Sequence, residues 1–144
     1  MKVVGLGHTF LKVRDRERSE RFYSEQLGIP VAARLESPAM TFFTLGNHHD
    51  FGIIEVGDGP AAPQNAPGLF HVAFKVGNSV DELRATKREL ESAGVAVDFA
   101  MDHTVTQSVY VRDPDGNMIE LYVDVSDDWK RDPSLVTAAE PFEL

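Results

Sequence analysis

The chain has 144 residues, a hydrophobic content of 42% and no cysteine. This length fits one folded domain with its own core, and the lack of cysteine excludes disulfides, thiolate zinc sites and thiol nucleophiles. The formal charge of −9 argues against nucleic acid as a partner. No apolar run approaches the roughly 20 residues of a membrane helix, and the N-terminus enters a strand pattern without a signal peptide. We therefore expect a cytoplasmic protein with no membrane partner.

An internal repeat organises the chain. The segment HTFLKV begins at His8 and returns 63 residues later as HVAFKV, beginning at His71. A polar stretch with helical spacing follows each copy, at residues 18–27 and 80–90, and each stretch stops at a glycine. Ser79 is a predicted N-cap of the second helix, with Glu82 at the capping-box position. The repeat therefore predicts two copies of one structural module.

Three strand-like runs follow each predicted helix, at residues 31–36, 39–45 and 49–56 and at residues 95–100, 106–112 and 118–125. The module is thus β-α-β-β-β, and the predicted fold class is α+β, with two paired modules forming a curved eight-stranded mixed sheet around a cleft. We expect a single domain over residues 1–144. Its parts are module 1 at about 1–57, a Gly- and Pro-rich linker at 58–67, module 2 at about 68–125 and a tail at 126–144. The tail is predicted to lie on the surface or on a partner subunit.

The last two strand-like runs predict a β-hairpin, because the turn-forming sequence DPDGN lies between them at residues 113–117. A hairpin that folds near Asp115 pairs Tyr110 with Glu120, so the phenol and the carboxylate share one face of the sheet. His103 precedes the hairpin. A carboxylate beside a phenol, with a histidine nearby, is an unusual combination for residues that only stabilise the fold.

The repeat places His8 and His71 at equivalent positions, and pairing of the modules would bring them near each other. Glu120 could complete a set of two histidines and one carboxylate, which leaves open positions and suits Fe(II) oxygen chemistry. Either histidine alone is better interpreted as a half-buried strand residue. The three together favour a metal cleft.

The sequence His48-His49-Asp50 opens the fourth predicted strand. Counting by two places His49, Phe51 and Glu55 on one face, and His48 is interpreted as a polar strand start. Taken alone, His103 would most often be a solvated turn residue and Tyr110 a packed strand aromatic.

The chain resembles the vicinal oxygen chelate superfamily of glyoxalase I, bleomycin-resistance proteins and type I extradiol dioxygenases. The doubled module and the sequence RDPDGNMIELY carry this resemblance, over about residues 1–129. Within the superfamily, the segments GHTFLKV, HHDFGI, LFHVAFKV and DHTVTQSVYVRDPDGNMIELYVD are most similar to the catalytic half of catechol 2,3-dioxygenases. Many of those enzymes carry a further, non-catalytic copy of the two-module domain, and this sequence departs from them there.

The resemblance implies an iron-dependent ring-cleaving dioxygenase that acts on a small aromatic diol with O2. Its metal ligands would be His8, His71 and Glu120, and its cofactor Fe(II), with Mn(II) acceptable to the same ligands. His49 would match the acid–base histidine of the family. The residues matching the His and Tyr that contact substrate oxygen would be His103 and Tyr110.

Two alternatives stay open from the sequence. A glyoxalase-type isomerase or lyase would add Glu55 as a fourth ligand and favour Ni(II) or Zn(II). A metal-free binding protein that confers drug resistance would need an apolar, aromatic cleft and no bound metal instead. Whichever function applies, Phe42, Phe51 and Met101 are expected wall residues of the pocket. We also expect a homodimer, which is common for this fold.

Overall fold

The computed structural model describes residues 1–63 and 65–144. Residue 64, within the predicted linker, lies outside the described residues. The chain divides into two compact units, Met1–Ala66 and Pro67–Leu144. In the described ranges, no helix has the length and apolar character needed to cross a membrane.

The first unit contains one four-stranded sheet and one short helix. In chain order its elements are β1 (Thr9–Val13), α1 (Arg16–Arg21), a π-helical turn (Phe22–Gln26), β2 (Val31–Glu36), β3 (Ala39–Phe43) and β4 (Phe51–Glu55). The strand order in the sheet is β1-β4-β3-β2, with β1 parallel to β4 and the other pairs antiparallel. The order β-α-β-β-β therefore confirms the predicted module.

Helix α1 begins earlier than predicted because Asp15 caps it, accepting the amide of Arg18 at 2.8 Å. Its second half is the π-helical turn, closed by the amide of Leu27 on the carbonyl of Phe22. The wider turn allows two consecutive aromatic residues, Phe22 and Tyr23, to be buried. Tyr23 packs on Phe51, with ring centroids 4.6 Å apart.

The second unit repeats this order with β5 (Val72–Gly77), α2 (Val80–Ser92), β6 (Val97–Asp102), β7 (Thr106–Arg112) and β8 (Met118–Asp124). The strand order is β5-β8-β7-β6 followed by a short edge strand, β9 (Glu140–Pro141), with β5 parallel to β8. The predicted cap of α2 is confirmed, since Ser79 accepts the amide of Glu82 and the Glu82 carboxylate accepts the amide of Asn78. Leu83 and Leu90 of this helix are buried.

The predicted hairpin is confirmed with its register, because Tyr110 pairs with Glu120 and Arg112 with Met118. Asp113 fixes the turn: its carboxylate accepts the amides of Asp115 and Asn117 at 2.9 and 2.8 Å. Gly116 supplies the left-handed backbone conformation, with φ of +86°.

The tail corrects the predicted number of strands, because it adds a ninth to the eight expected. After two short 3₁₀ helices (Asp128–Lys130 and Pro133–Thr137), β9 (Glu140–Pro141) pairs antiparallel with β6. The amide of Phe142 adds a bond to the carbonyl of Ala100 at 3.2 Å. This part of the tail therefore belongs to the second sheet. The α+β class is confirmed, whereas the single domain and the pairing of the two modules around a cleft stay predictions.

Candidate metal centre

Two parallel strands of the second unit place His71 beside Glu120. β5 runs parallel to β8 with Ala73 next to Glu120, and His71 lies two residues before Ala73, on the same side by strand alternation. The Nε2 atom of His71 lies 3.1 Å from Oε2 of Glu120. Two of the three predicted metal ligands are therefore in contact.

The separation of these two atoms suits a shared cation. Ligand atoms about 2.1 Å from one ion and at right angles to each other lie about 3 Å apart. An imidazole nitrogen with a carboxylate oxygen is a donor set that Fe(II) and Mn(II) accept. The Nδ1 atom of His71 is buried and has no hydrogen-bond partner in the described ranges, so nearby protein groups leave this ring only partly satisfied. The residues of the second unit thus fit a divalent metal ion.

Ser108 orients the carboxylate. Its hydroxyl donates to Oε1 of Glu120 at 2.5 Å, and both side chains are buried. This bond occupies one carboxylate oxygen and leaves Oε2 toward His71, which is the usual task of a residue that supports a metal ligand. Sequence reasoning missed Ser108, although its position two residues from Tyr110 on a strand was a signal that it shares the face of Glu120.

Tyr110 and His103 form the next part of the same surface. The hydroxyl of Tyr110 lies 3.0 Å from Nε2 of His103, so the structure brings these two predicted residues together. Burial, and then the charge of Glu120, raise the pKa of Tyr110 to about 12. The residue is therefore a neutral phenol at ordinary pH and can donate a hydrogen bond.

The tail decides which nitrogen of His103 carries the proton. Nδ1 lies 2.9 Å from the carbonyl oxygen of Ala138, and a carbonyl can only accept. In neutral His103 the proton is therefore on Nδ1, and Nε2 is an acceptor available to the Tyr110 hydroxyl. No sequence pattern indicated this contact with Ala138.

The remaining predicted residues, His8 and His49, lie in the first unit. Their ring centroids are 4.2 Å apart, and His48 lies beside them, 4.5 Å from His49. The rings of Phe10 and Phe42 border His49 at 5.9 and 5.4 Å. Burial, followed by the neighbouring His8 and His48, lowers the pKa of His49. His49 is thus held as a neutral imidazole, the form that can accept a proton.

Gly52 permits this grouping. A Cβ atom at residue 52 would lie 2.3 Å from the ring of Phe10, so only glycine lets that ring cross the strand. Phe10 and Phe42 both pair with Gly52 and therefore share one face of the sheet.

The prediction that His49 shares a strand face with Phe51 is wrong. Strand β4 begins at Phe51, and His49 lies in the loop before it, where strict alternation does not hold. Phe51 is 1% exposed and packs in the core, so it is not a wall residue, whereas Phe42 contacts His49. Met101, on β6, pairs with Ser108 and Pro141.

Glu55 does not join the histidines. It pairs with Val13 at the far end of β1 from His8, five residues of strand or roughly 16 Å away. Its Oε2 atom accepts the amide of Arg16 at the start of α1, at 2.9 Å. A metal cage that contains both His8 and Glu55 is therefore contradicted.

Comparison with known proteins defines the class. The Glyoxalase/Bleomycin resistance protein/Dioxygenase superfamily matches residues 5–121, and the chain belongs to this superfamily. A glyoxylase/bleomycin resistance protein/dioxygenase domain from Frankia sp. EAN1pec has the same fold, with a TM-score of 0.73, 24% identity, and coverage of 86% of this chain and 100% of that one.

The curated relatives differ in activity. The chain is similar to biphenyl-2,3-diol 1,2-dioxygenase 3 of Rhodococcus globerulus, with 33% identity over 83% of this chain and 63% of the relative. It is similar to catechol-2,3-dioxygenase of Bacillus subtilis (strain 168), with 31% identity over 88% of this chain and 44% of the relative. It also matches a probable lactoylglutathione lyase of Vibrio cholerae at 28% identity, over 79% of this chain and 86% of the relative. The chain thus spans less than two thirds of either dioxygenase.

Proposed function

We propose that this protein is an Fe(II)-dependent extradiol dioxygenase that cleaves the ring of a catechol-type diol beside its two hydroxyl groups. The observation that carries the proposal is the contact of His71 with Glu120, with the Tyr110–His103 pair on the adjoining surface. The similarity to two diol dioxygenases supports the same reaction. Homodimer formation is part of the proposal and is testable by light scattering.

In this proposal His8, His71 and Glu120 hold the metal, with Fe(II) as the resident ion and Mn(II) as a substitute. The ion would act as a Lewis acid that brings the diol and O2 together. Ser108 keeps Glu120 in place through its 2.5 Å hydrogen bond. That His8 of the first unit reaches the same ion is part of the proposal.

His49 would act as the acid–base residue. Because its pKa is lowered, His49 is neutral and can accept a proton from a diol hydroxyl at its free ring nitrogen. It can return the proton later in the same turnover, as imidazoles do near neutral pH. The neighbouring rings of Phe10 and Phe42 border the imidazole and make part of its surroundings apolar.

Tyr110 and His103 would stabilise negative charge on the substrate. A phenol that stays protonated at neutral pH can donate to a developing oxyanion, which is the arrangement that lowers such barriers. The Tyr110 proton must first leave Nε2 of His103, so the two residues act as one donor unit.

Anaerobic reconstitution with Fe(II), followed by a panel of catechols and O2, tests the proposal. We expect a yellow ring-fission product, lost in Glu120→Gln and reduced roughly 10²- to 10⁴-fold in His49→Ala. Glu55→Gln is the matched control, because glutamine can still accept the Arg16 amide, and it should keep the activity.

Absence of colour with every catechol would refute the proposed reaction. Activity on a glutathione hemithioacetal in place of catechols would instead support a lyase.

A further inference from the structure

Three histidines meet at the edge where two parallel strands of the first unit begin. His8 directly precedes β1, and His48 and His49 lie shortly before β4. Because β1 and β4 are parallel, residues before their first positions lie at the same edge of the sheet. The amide of Thr9 bonds to the carbonyl of Asp50 and closes this edge.

The nitrogen atoms of the three rings converge. One possible ligand atom from each of His8, His48 and His49 lies within 4.8 Å of the others. The three ring centroids are 4.2, 4.5 and 6.4 Å apart. In the described parts of the chain, this is the one group of three metal-binding side chains whose ligand atoms come so close together.

The structure prepares His48 as a ligand. Oδ1 of Asn47 accepts the backbone amide of His48 at 2.9 Å, so this atom is the amide oxygen, which can only accept. The same oxygen lies 3.0 Å from Nδ1 of His48, which places the proton of the neutral ring on Nδ1 and the free electron pair on Nε2. A hydrogen bond at one ring nitrogen that orients the other toward a metal is the usual support for a histidine ligand.

The loop that presents His48 is held in place. The carboxylate of Asp50 accepts the amides of Leu45 and Asn47 at 2.6 and 3.3 Å. Thr44 donates to the carbonyl of Asn47 at 2.6 Å. His48 itself is exposed, so a cation has access from solvent.

We propose that His8, His48 and His49 form a second site, for a late divalent transition cation such as Zn²⁺, Ni²⁺ or Cu²⁺. Three imidazoles without a carboxylate favour these cations over Fe(II) and Mn(II). The site shares His8 with the proposed iron ligands and occupies His49, so the two sites exclude each other. A late transition cation bound here would inhibit any reaction that needs both histidines.

Binding of Zn²⁺ to the metal-free protein, measured by competition with a chromophoric chelator, tests this site. We expect one tight Zn²⁺ ion in the wild type and in His71→Ala, the matched control from the second unit. His48→Ala should weaken binding by more than about tenfold, since even loss of a residue that only supports a ligand costs 10- to 100-fold. The EPR spectrum with Cu²⁺ should indicate three nitrogen ligands in the first two proteins and two in His48→Ala.

Two results would overturn the second site. The first is binding that is lost in His71→Ala and retained in His48→Ala, which would put Zn²⁺ at the proposed iron ligands. The second is no stoichiometric binding at all, with folding of each variant verified by circular dichroism. The assay uses neither a diol nor O2, so its outcome is independent of the ring-cleavage proposal.

Discussion

Tyr110 combines two properties that a solvated tyrosine lacks. It is 5% exposed, and it lies opposite the carboxylate of Glu120 on the neighbouring strand. Removal of water and the nearby negative charge both oppose ionisation, which is why its pKa rises to about 12. At the residue scale, the same side chains that shape the site also make stability depend on pH.

We expect Tyr110 to stabilise the protein below about pH 10, the pKa of tyrosine in the unfolded chain. Because the folded state holds the phenol proton more tightly, the unfolded state loses it first, and this stabilisation falls as the pH rises from about 10 to about 12. Urea unfolding of the wild type and of Tyr110→Phe at several pH values measures the effect. The stability difference between them should shrink over this interval, and a constant difference would contradict the raised pKa.

His49 illustrates where residue-level prediction fails. Alternation along β4 assigned it to the face of Phe51, but β4 starts at Phe51 and the loop before it turns His49 toward Phe10 and Phe42. Alternation is a property of extended backbone. Where the strand begins depends on its pairing with β1 and β3, which one segment of sequence does not contain.

At the level of elements, the hairpin of β7 and β8 was predictable in full. Its register follows from turn residues that lie within the hairpin, and Asp113 satisfies the turn amides locally. Strand β9 was not predictable, because two residues carry no hydrophobic period and pair with a strand about 40 positions earlier. Local signals predict local structure, and the contact between Ala138 and His103 is not local.

The C-terminal tail is expected to select the tautomer of His103, and this effect can be tested. A chain that ends at Thr137 loses the Ala138 carbonyl, so the Nε2–H tautomer of His103 should gain population. Long-range ¹H–¹⁵N correlation spectra of the imidazole nitrogens report this change directly. Removal of residues 143 and 144 alone keeps β9 and Ala138 and serves as the control. An unchanged tautomer in the shorter chain would show that Ala138 does not select it.

On the scale of the whole molecule, the repeat accounts for why each unit contains part of the proposed site. His8 and His71 occupy the same place in the two modules, immediately before β1 and β5. Duplication predicted this equivalence from sequence alone. The second unit contains the Glu120 carboxylate, the supporting Ser108 and the Tyr110–His103 pair. The two copies of the module therefore share a fold but differ in these side chains.

If one Fe(II) ion joins both units, anaerobic Fe(II) should stabilise the whole chain against unfolding. At 100 times the dissociation constant the gain is about 2.7 kcal/mol. His8→Ala and His71→Ala, one change in each unit, should each abolish most of this gain in chemical denaturation. Glu55→Gln, at the far end of the strand pair, should retain it. A gain that survives His8→Ala would indicate that the second unit binds the ion without the first.

The short pairing of β9 with β6 also has a consequence for self-association. Without it, the backbone groups of β6 near Met101 would form an open border onto which another chain could add. Pro141 has no amide proton, so β9 offers no backbone hydrogen-bond donor there to a further strand. Truncation of the C-terminal tail would therefore favour aggregation at high protein concentration, and it would also change the tautomer of His103.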